Sequence, residues 1–497
     1  MTTTPTAQPA AIDIDARPIV GGRRVDGVGA RTLIDPYRRA PLIDVALADA
    51  AIVDRALTIA ASDGRHDIQA MPLHERTTKL RRAADIIRSR RDELASTISR
   101  QTGKAIRDAR REIDRATFTL AGTSAAAEQL GEPIPAPDAL PGGEGLTAFA
   151  IREPLGIVAA VTPFNAPFNL VMHKVAPALA MGNAVVVKPA HQAPLCALQI
   201  ADIMVEAGFP PAAMSVLPGA GDASRALVAD DRVDAVSFTG GVEAARRIGA
   251  AAPLKRLLFE LGGNSPNLVH SDADLDWTVA ALAAGGFANT GQSCNSVQRV
   301  IAHRPIVGEL VERLTAAAAA LVAGDPLSDA TDVGTLVDEP SAIRVAEWLD
   351  EAVAGGATRH IGGERDGALL DPIVVGDVDP RMRIACEEVF GPVLVVIPYD
   401  TMDQAIEIAN ATPFGLQGAV FTRSLEVAFR AARGVRTGAV FVNRSSNFRL
   451  DHLPFGGLRD SGTTREGGRY TLEGMSQIKL VMVDPTMTGS PHPLARR

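Results

Sequence analysis

Leu155-Gly156-Ile157-Val158-Ala159-Ala160-Val161-Thr162-Pro163-Phe164-Asn165 decides the fold. A short apolar run rich in Val and Ala, stopped by Thr-Pro, reads as a strand buried on both faces. A helical stretch follows at 170–180, then a second buried strand at 184–187, stopped by Lys188-Pro189. The pattern repeats: helix at 194–206, strand at 214–217, glycine turn Gly219-Ala220-Gly221, strand at 233–238, turn Thr239-Gly240-Gly241, helix at 242–251 and strand at 256–259. Alternation of this kind predicts a parallel sheet covered by helices, with ligands at the carboxyl ends of its strands.

Upstream, glycine turns at 21–22 and 27 separate short strands. Helices are expected at 47–60, 73–98 and 105–120, and a Pro/Gly-rich connection at 136–145. Downstream of Gly263 a second βα region begins. It has helices at 277–289, 307–322 and 341–353, strands at 393–398, 419–421 and 439–442, and a final apolar strand at 478–483 suited to an edge or a neighbouring subunit. A chain of 497 residues calls for two or three domains. Residues 1–17 and 486–497 read as flexible termini, with neither a secretory signal nor a membrane span.

The net charge of −8 gives no basic footprint for nucleic acid. Three cysteines without a paired framework fit a reducing, cytoplasmic setting. The nine histidines show no metal-ligand spacing, so no metal is expected. Cys196 sits among Leu195, Leu198 and Ile200 and reads as core. Cys386 precedes Glu387-Glu388, which disfavours a thiolate.

Cys294 differs, because Gly291-Gln292-Ser293-Cys294 is small and polar. Glu260 ends a strand thirty-four residues earlier, in Phe259-Glu260-Leu261-Gly262-Gly263-Asn264. Two glycines let the backbone approach a partner closely. A thiol with a nearby carboxylate is the equipment of covalent catalysis followed by hydrolysis. Asn165, after Pro163-Phe164, is either a helix cap or an amide donor to a developing oxyanion.

These stretches resemble the glutamate and cysteine signatures of the aldehyde dehydrogenase superfamily, in order and spacing from about residue 18 to residue 483. The resemblance implies an α/β fold: a Rossmann-like cofactor domain (18–130 and 154–260), an α/β catalytic domain (261–465) and a small β oligomerisation arm (131–153 and 466–485). It assigns Cys294 as nucleophile, Glu260 as the base for thioester hydrolysis and Asn165 as oxyanion donor. NAD is the implied cofactor, with NADP possible. Lys188, His191, Gly221, Thr239, Gly240, Gly241, Glu388 and Phe390 are its candidate contacts.

Two departures stand out. His191 occupies a place where many NAD-dependent members carry glutamate, so a repelling carboxylate is missing against a 2′-phosphate. Gly241 stands where serine is frequent. The branch that the chain resembles acts on small hydroxylated or anionic aldehydes, and Arg111, Arg115, Arg449 and Phe455 are candidate substrate contacts. A retained Glu260 favours water over coenzyme A or phosphate as acyl acceptor. An inactive binding homologue is the alternative from another class. The resemblance also implies a homodimer or homotetramer, with no nucleic-acid or membrane partner.

Overall fold

The computed structural model describes residues 12–485. Residues 1–11 and 486–497, most of the expected flexible termini, lie outside the described residues. Residues 12–17 are not free: Ile12, Ile14 and Ala16 pack on the first core, because an apolar residue at every second position lies on one side of an extended chain.

The first sheet is built from β1 (Ile19–Val20), β2 (Arg23–Arg24), β3 (Ile157–Val161), β4 (Ala184–Lys188), β5 (Met214–Val216), β6 (Ala235–Thr239) and β7 (Arg256–Glu260), ordered β7-β6-β3-β4-β5-β1-β2. Strands β3 to β7 run parallel. Ala, Val and Ile fill β3 and β4, which are buried on both faces as the apolar runs require. The order reverses between β3 and β6, which opens a crevice at their carboxyl ends, beside Thr162 and Gly240.

The second sheet contains β8 (Ser265–Val269), β9 (Val297–His303), β10 (Thr358–Ile361), β11 (Ile373–Gly376), β12 (Val393–Tyr399), β13 (Gln417–Phe421) and β14 (Ala439–Val442), ordered β10-β11-β12-β9-β8-β13-β14. Only four residues separate β7 from β8, so Glu260 lies where one sheet hands the chain to the other. A separate antiparallel ribbon pairs Thr147–Pro154 with Ser476–Val483. Phe149 and Ile151 are exposed on one of its faces, and Ile478, Leu480 and Met482 on the other.

Four helices matter for the site: α1 (Ile106–Glu128), α2 (Asn169–Ala180), α3 (Val242–Ala251) and α4 (Leu275–Phe287). The helix expected over 73–98 is two, Leu73–Ser89 and Arg91–Thr102, broken where Arg90 leaves helical geometry (ψ 20°). The helix expected to end at 120 continues to Glu128, because alanines and Thr123 and Ser124 keep its inner face small and buried.

Candidate active site

The two decisive stretches meet. A Cβ on Gly263 would overlap the Cys294 carbonyl, and one on Gly262 would overlap the Glu388 carboxylate. The Gly263 N–H donates to Glu388 Oε1 at 2.8 Å. Glycine is therefore required at both positions, and it draws Glu260, Cys294 and Glu388 around one turn. The cysteine loop leaves α4 through Asn289, Thr290 and Gly291, all with left-handed φ. Gln292 ties it down: its Oε1 accepts from the Val337 N–H at 3.0 Å.

Cys294 and Asn165 face a cavity of about 1140 Å³ that Lys188, His191, Gly221, Thr239, Gly240, Gly241, Glu388 and Phe390 also line. All eight candidate cofactor contacts are thus gathered at the reversal between β3 and β6. The residues fit a dinucleotide. The Thr239 hydroxyl is buried with no partner among the described residues. A Cβ on Gly221 or Gly241 would meet open space, so both backbones are clear for a diphosphate at the N-termini of Gly221–Ala229 and α3. Lys188 has no carboxylate partner among the described residues, and burial holds its pKa down. Phe164 and Phe390 meet edge to face at 5.8 Å. Ser224, Arg225 and Arg247 also line the cavity and carry no sequence signal of their own.

Glu260 is 3 % exposed. Its Oε1 accepts from the Thr464 hydroxyl at 3.3 Å, while Oε2 has no partner among the described residues. Burial, and then the Glu466 carboxylate, push its pKa well up. A carboxyl tuned toward neutrality with one free oxygen can take a proton from water. Although burial opposes it, the charges of Lys174, His173 and Arg449 hold Glu466 down at about 2.

Near the thiol lies a charged cluster of which the sequence pointed to Arg115 and Arg449 but not to His173, Lys174, Asp451 or Glu466. Arg115 donates twice to Asp451, at 3.0 and 2.7 Å. His173 Nε2 lies 3.1 Å from Asp451 Oδ1 and 3.1 Å from the Arg449 guanidinium. Arg449 and Lys174 both reach Glu466, at 3.2 and 3.3 Å. Arg449 lies over the Phe455 ring, 3.8 Å from its centroid. For the missed members, a signal was available in His173-Lys174 inside an otherwise apolar helix, α2. Of the candidate substrate arginines, Arg115 and Arg449 join this cluster. Arg111 does not: its side chain is 71 % exposed and bonds Asp108 on its own helix.

Burial, then the Glu388 carboxylate, push the Cys294 thiol up to about 12. Below that value the thiol form dominates, so alkylation by iodoacetamide should quicken about tenfold per pH unit between pH 8 and 11 in the free protein. Glu388→Gln removes a charge that opposes the thiolate, and alkylation at pH 8 should then be several-fold faster. A Cys294→Ala control corrects for Cys386. An unchanged rate in Glu388→Gln would show that the carboxylate does not act on the thiol.

The aldehyde dehydrogenase family profile matches residues 26–481. The chain is 38 % identical to a 3-sulfolactaldehyde dehydrogenase of Priestia aryabhattai, over 91 % of this chain and 94 % of the relative. It is 37 % identical to a betaine aldehyde dehydrogenase of Cereibacter sphaeroides, over 98 % and 100 %. Aldehyde dehydrogenase 21 from Physcomitrella patens, solved in complex with the reaction product succinate, superposes with a TM-score of 0.91 at 34 % identity, over 95 % of this chain and 98 % of that one. The chain belongs to the aldehyde dehydrogenase family and is an NAD(P)-dependent aldehyde oxidoreductase.

Proposed function

We propose that the protein oxidises a small anionic aldehyde to its carboxylate through a thioester on Cys294, with NAD or NADP as oxidant. The observation that carries this reading is the gathering of Cys294, Asn165 and the cofactor-lining residues at one cavity, next to the turn that Glu260 begins, with Glu260 itself lining an adjoining small cavity beside Thr464 and Glu466. Cys294 gives its proton to solvent, and its Sγ forms a bond to the carbonyl carbon as the C=O π pair moves to oxygen. The Asn165 amide donates to the resulting oxyanion; losing one such donor costs about 3–4 kcal/mol in comparable sites. Lys188, Thr239 and the open glycines would hold the dinucleotide, with Glu388 and Phe390 left to take its nicotinamide end. When bound, the nicotinamide accepts the hydride whose loss converts the thiohemiacetal to the thioester. Glu260 Oε2 then takes a proton from the water that attacks the thioester, releasing the carboxylate and the thiol. A free base at this place favours water over coenzyme A as acceptor.

The two relatives named above carry the names of an anionic and a cationic aldehyde, and the arginines near the thiol favour the anion. Arg115, Arg449 and Lys174 face two ionised carboxylates, Asp451 and Glu466. Arg115 and Cys294 are close enough to interact electrostatically, as are Arg449 and Cys294. Arg115 spends Nε and one terminal nitrogen on Asp451 and keeps the other for substrate. We further propose a homodimer or homotetramer formed through the apolar ribbon of Thr147–Pro154 and Ser476–Val483, and a cytoplasmic location consistent with three free cysteines.

Three outcomes test this reading. Glu260→Gln should keep the pre-steady-state NADH burst and lose about 10²–10⁴-fold in steady-state turnover, measured by stopped-flow absorbance. The wild-type steady-state rate should rise with pH as Glu260 loses its proton, and this rise should vanish in the variant. Equal loss of burst and steady state would make Glu260 an activator of the thiol instead.

Arg115→Gln should raise KM about tenfold or more for anionic aldehydes, the effect of losing a charge-assisted contact of roughly 1.5–3 kcal/mol, and leave neutral aldehydes unchanged. Arg111→Ala should change neither. Equal slowing of both aldehyde classes would remove the anion pocket.

His191 stands near Arg31 and Lys188, whose charges, after partial burial, push its pKa down. His191→Glu should shift the NAD-to-NADP ratio of kcat/KM toward NAD by roughly fivefold, about 1 kcal/mol between like charges ~4 Å apart in water. An unchanged ratio would separate His191 from the 2′-position.

A further inference from the structure

Cys294 and Asn165 belong to different sheets. Cys294 precedes β9 in the second sheet, and Asn165 follows β3 in the first. The roles given to them need a fixed separation, and one side chain spans the gap. Asn289 Nδ2 donates to the Asn165 carbonyl at 3.0 Å and to the Gln292 carbonyl at 2.9 Å. The Asn289 N–H donates to Asp108 Oδ2 on α1 at 3.0 Å. The same residue thus touches the oxyanion loop, the cysteine loop and the helix between them.

Its backbone is unusual. Asn289 has φ +52°, Thr290 φ +56° and Gly291 φ +70°. A β-branched residue such as Thr290 is rare in the left-handed region, and three such residues in succession persist only where surrounding contacts enforce them. Asparagine tolerates this conformation and also carries two amide donors. Glycine would keep the conformation and lose the donors.

A second grip reaches the same atom. Lys104 Nζ donates to the Asn165 carbonyl at 2.6 Å. Lys104 forms a buried ion pair with Glu112, and Glu112 Oε1 accepts from the N–H groups of Phe168 and Asn169 at 2.8 and 3.1 Å. The Asn165 carbonyl is therefore clamped by two donors, while its side-chain amide has no hydrogen bond among the described residues and faces the cavity.

We propose that Asn289 is a positioning residue, aided by the Lys104–Glu112 pair, which holds the Asn165 donor in register with Cys294. It acts through Asn165 and rests on the catalytic reading of Cys294 and Asn165 given above. The test is a double-mutant cycle read by the NADH burst rate. Asn289→Gly should slow the burst about tenfold or more, with KM for the aldehyde and Kd for NAD within about twofold of wild type. Asn165→Ala/Asn289→Gly should be no slower than Asn165→Ala alone, since a residue acting only through Asn165 adds nothing once that donor is gone. An unchanged burst in Asn289→Gly, or losses that multiply in the double variant, would overturn the proposal. Lys104→Met/Glu112→Gln, which removes the other grip without leaving a lone buried charge, should show the same non-additivity with Asn165→Ala. This second cycle decides the matter if Asn289→Gly does not fold. Normal burst rates in both Asn165→Ala and Cys294→Ala would instead overturn the catalytic reading beneath it.

Discussion

Two absent side chains hold the centre together. At Gly262 and Gly263 the chain leaves the first sheet and enters the second, and the space that a Cβ would fill is taken by the Glu388 carboxylate and the Cys294 carbonyl. Any larger residue would push one of these away and separate the thiol from the cofactor cavity. The same logic recurs around the site. Gly291 leaves room for the Gly391 carbonyl, and Gly456 lets the late loop close on Glu260. At Gly263 and Gly291 the loops meet backbone to backbone, and at Gly262 and Gly456 a carboxylate fills the space, so close packing fixes their positions.

Charge is then distributed across this rigid frame. Glu260 is buried, Cys294 and Glu388 are half-buried at the cavity wall, and loss of solvent is the largest influence on each, favouring the protonated form. Asp451 and Glu466 are buried as well, yet neighbouring cations keep both ionised. The site therefore contains two kinds of carboxyl group. One kind is held ionised by the cations Arg115, Lys174 and Arg449. The other is pushed up by burial, Glu388 to about 7 and Glu260 well above the usual carboxylate range. In the proposed mechanism this division assigns the fixed pair to structure and to the balance of the anion pocket, and leaves Glu260 for proton transfer.

Much of the fold was legible because its signals are local. The strands at 157–161 and 184–188 are short apolar runs bounded by turns, and the turns after them line the cavity. Other elements were hidden for identifiable reasons. Ser265–Val269 contains Pro266, which argues against a central strand, but a register shift beside it lets the strand sit fully buried between two neighbours. Thr147–Pro154 is a two-faced ribbon strand with small residues among its apolar ones, so its alternation is faint. The charged cluster could not be read locally at all. Arg115 meets Asp451 across 336 positions, and His173 meets it across 278. Arg111 and Arg115 are one helical turn apart on the same side of α1, so periodicity could not separate them; only the place of Asp451 does.

The covalent route through Cys294 is tested most directly by trapping. Glu260→Gln protein, mixed with NAD and an anionic aldehyde, quenched in acid and digested, should yield the Cys294 peptide heavier by the acyl group of the substrate, with no such adduct in Glu260→Gln/Cys294→Ala. An unmodified Cys294 peptide from protein that has released a stoichiometric burst of NADH, or an adduct on another residue, would contradict the covalent route.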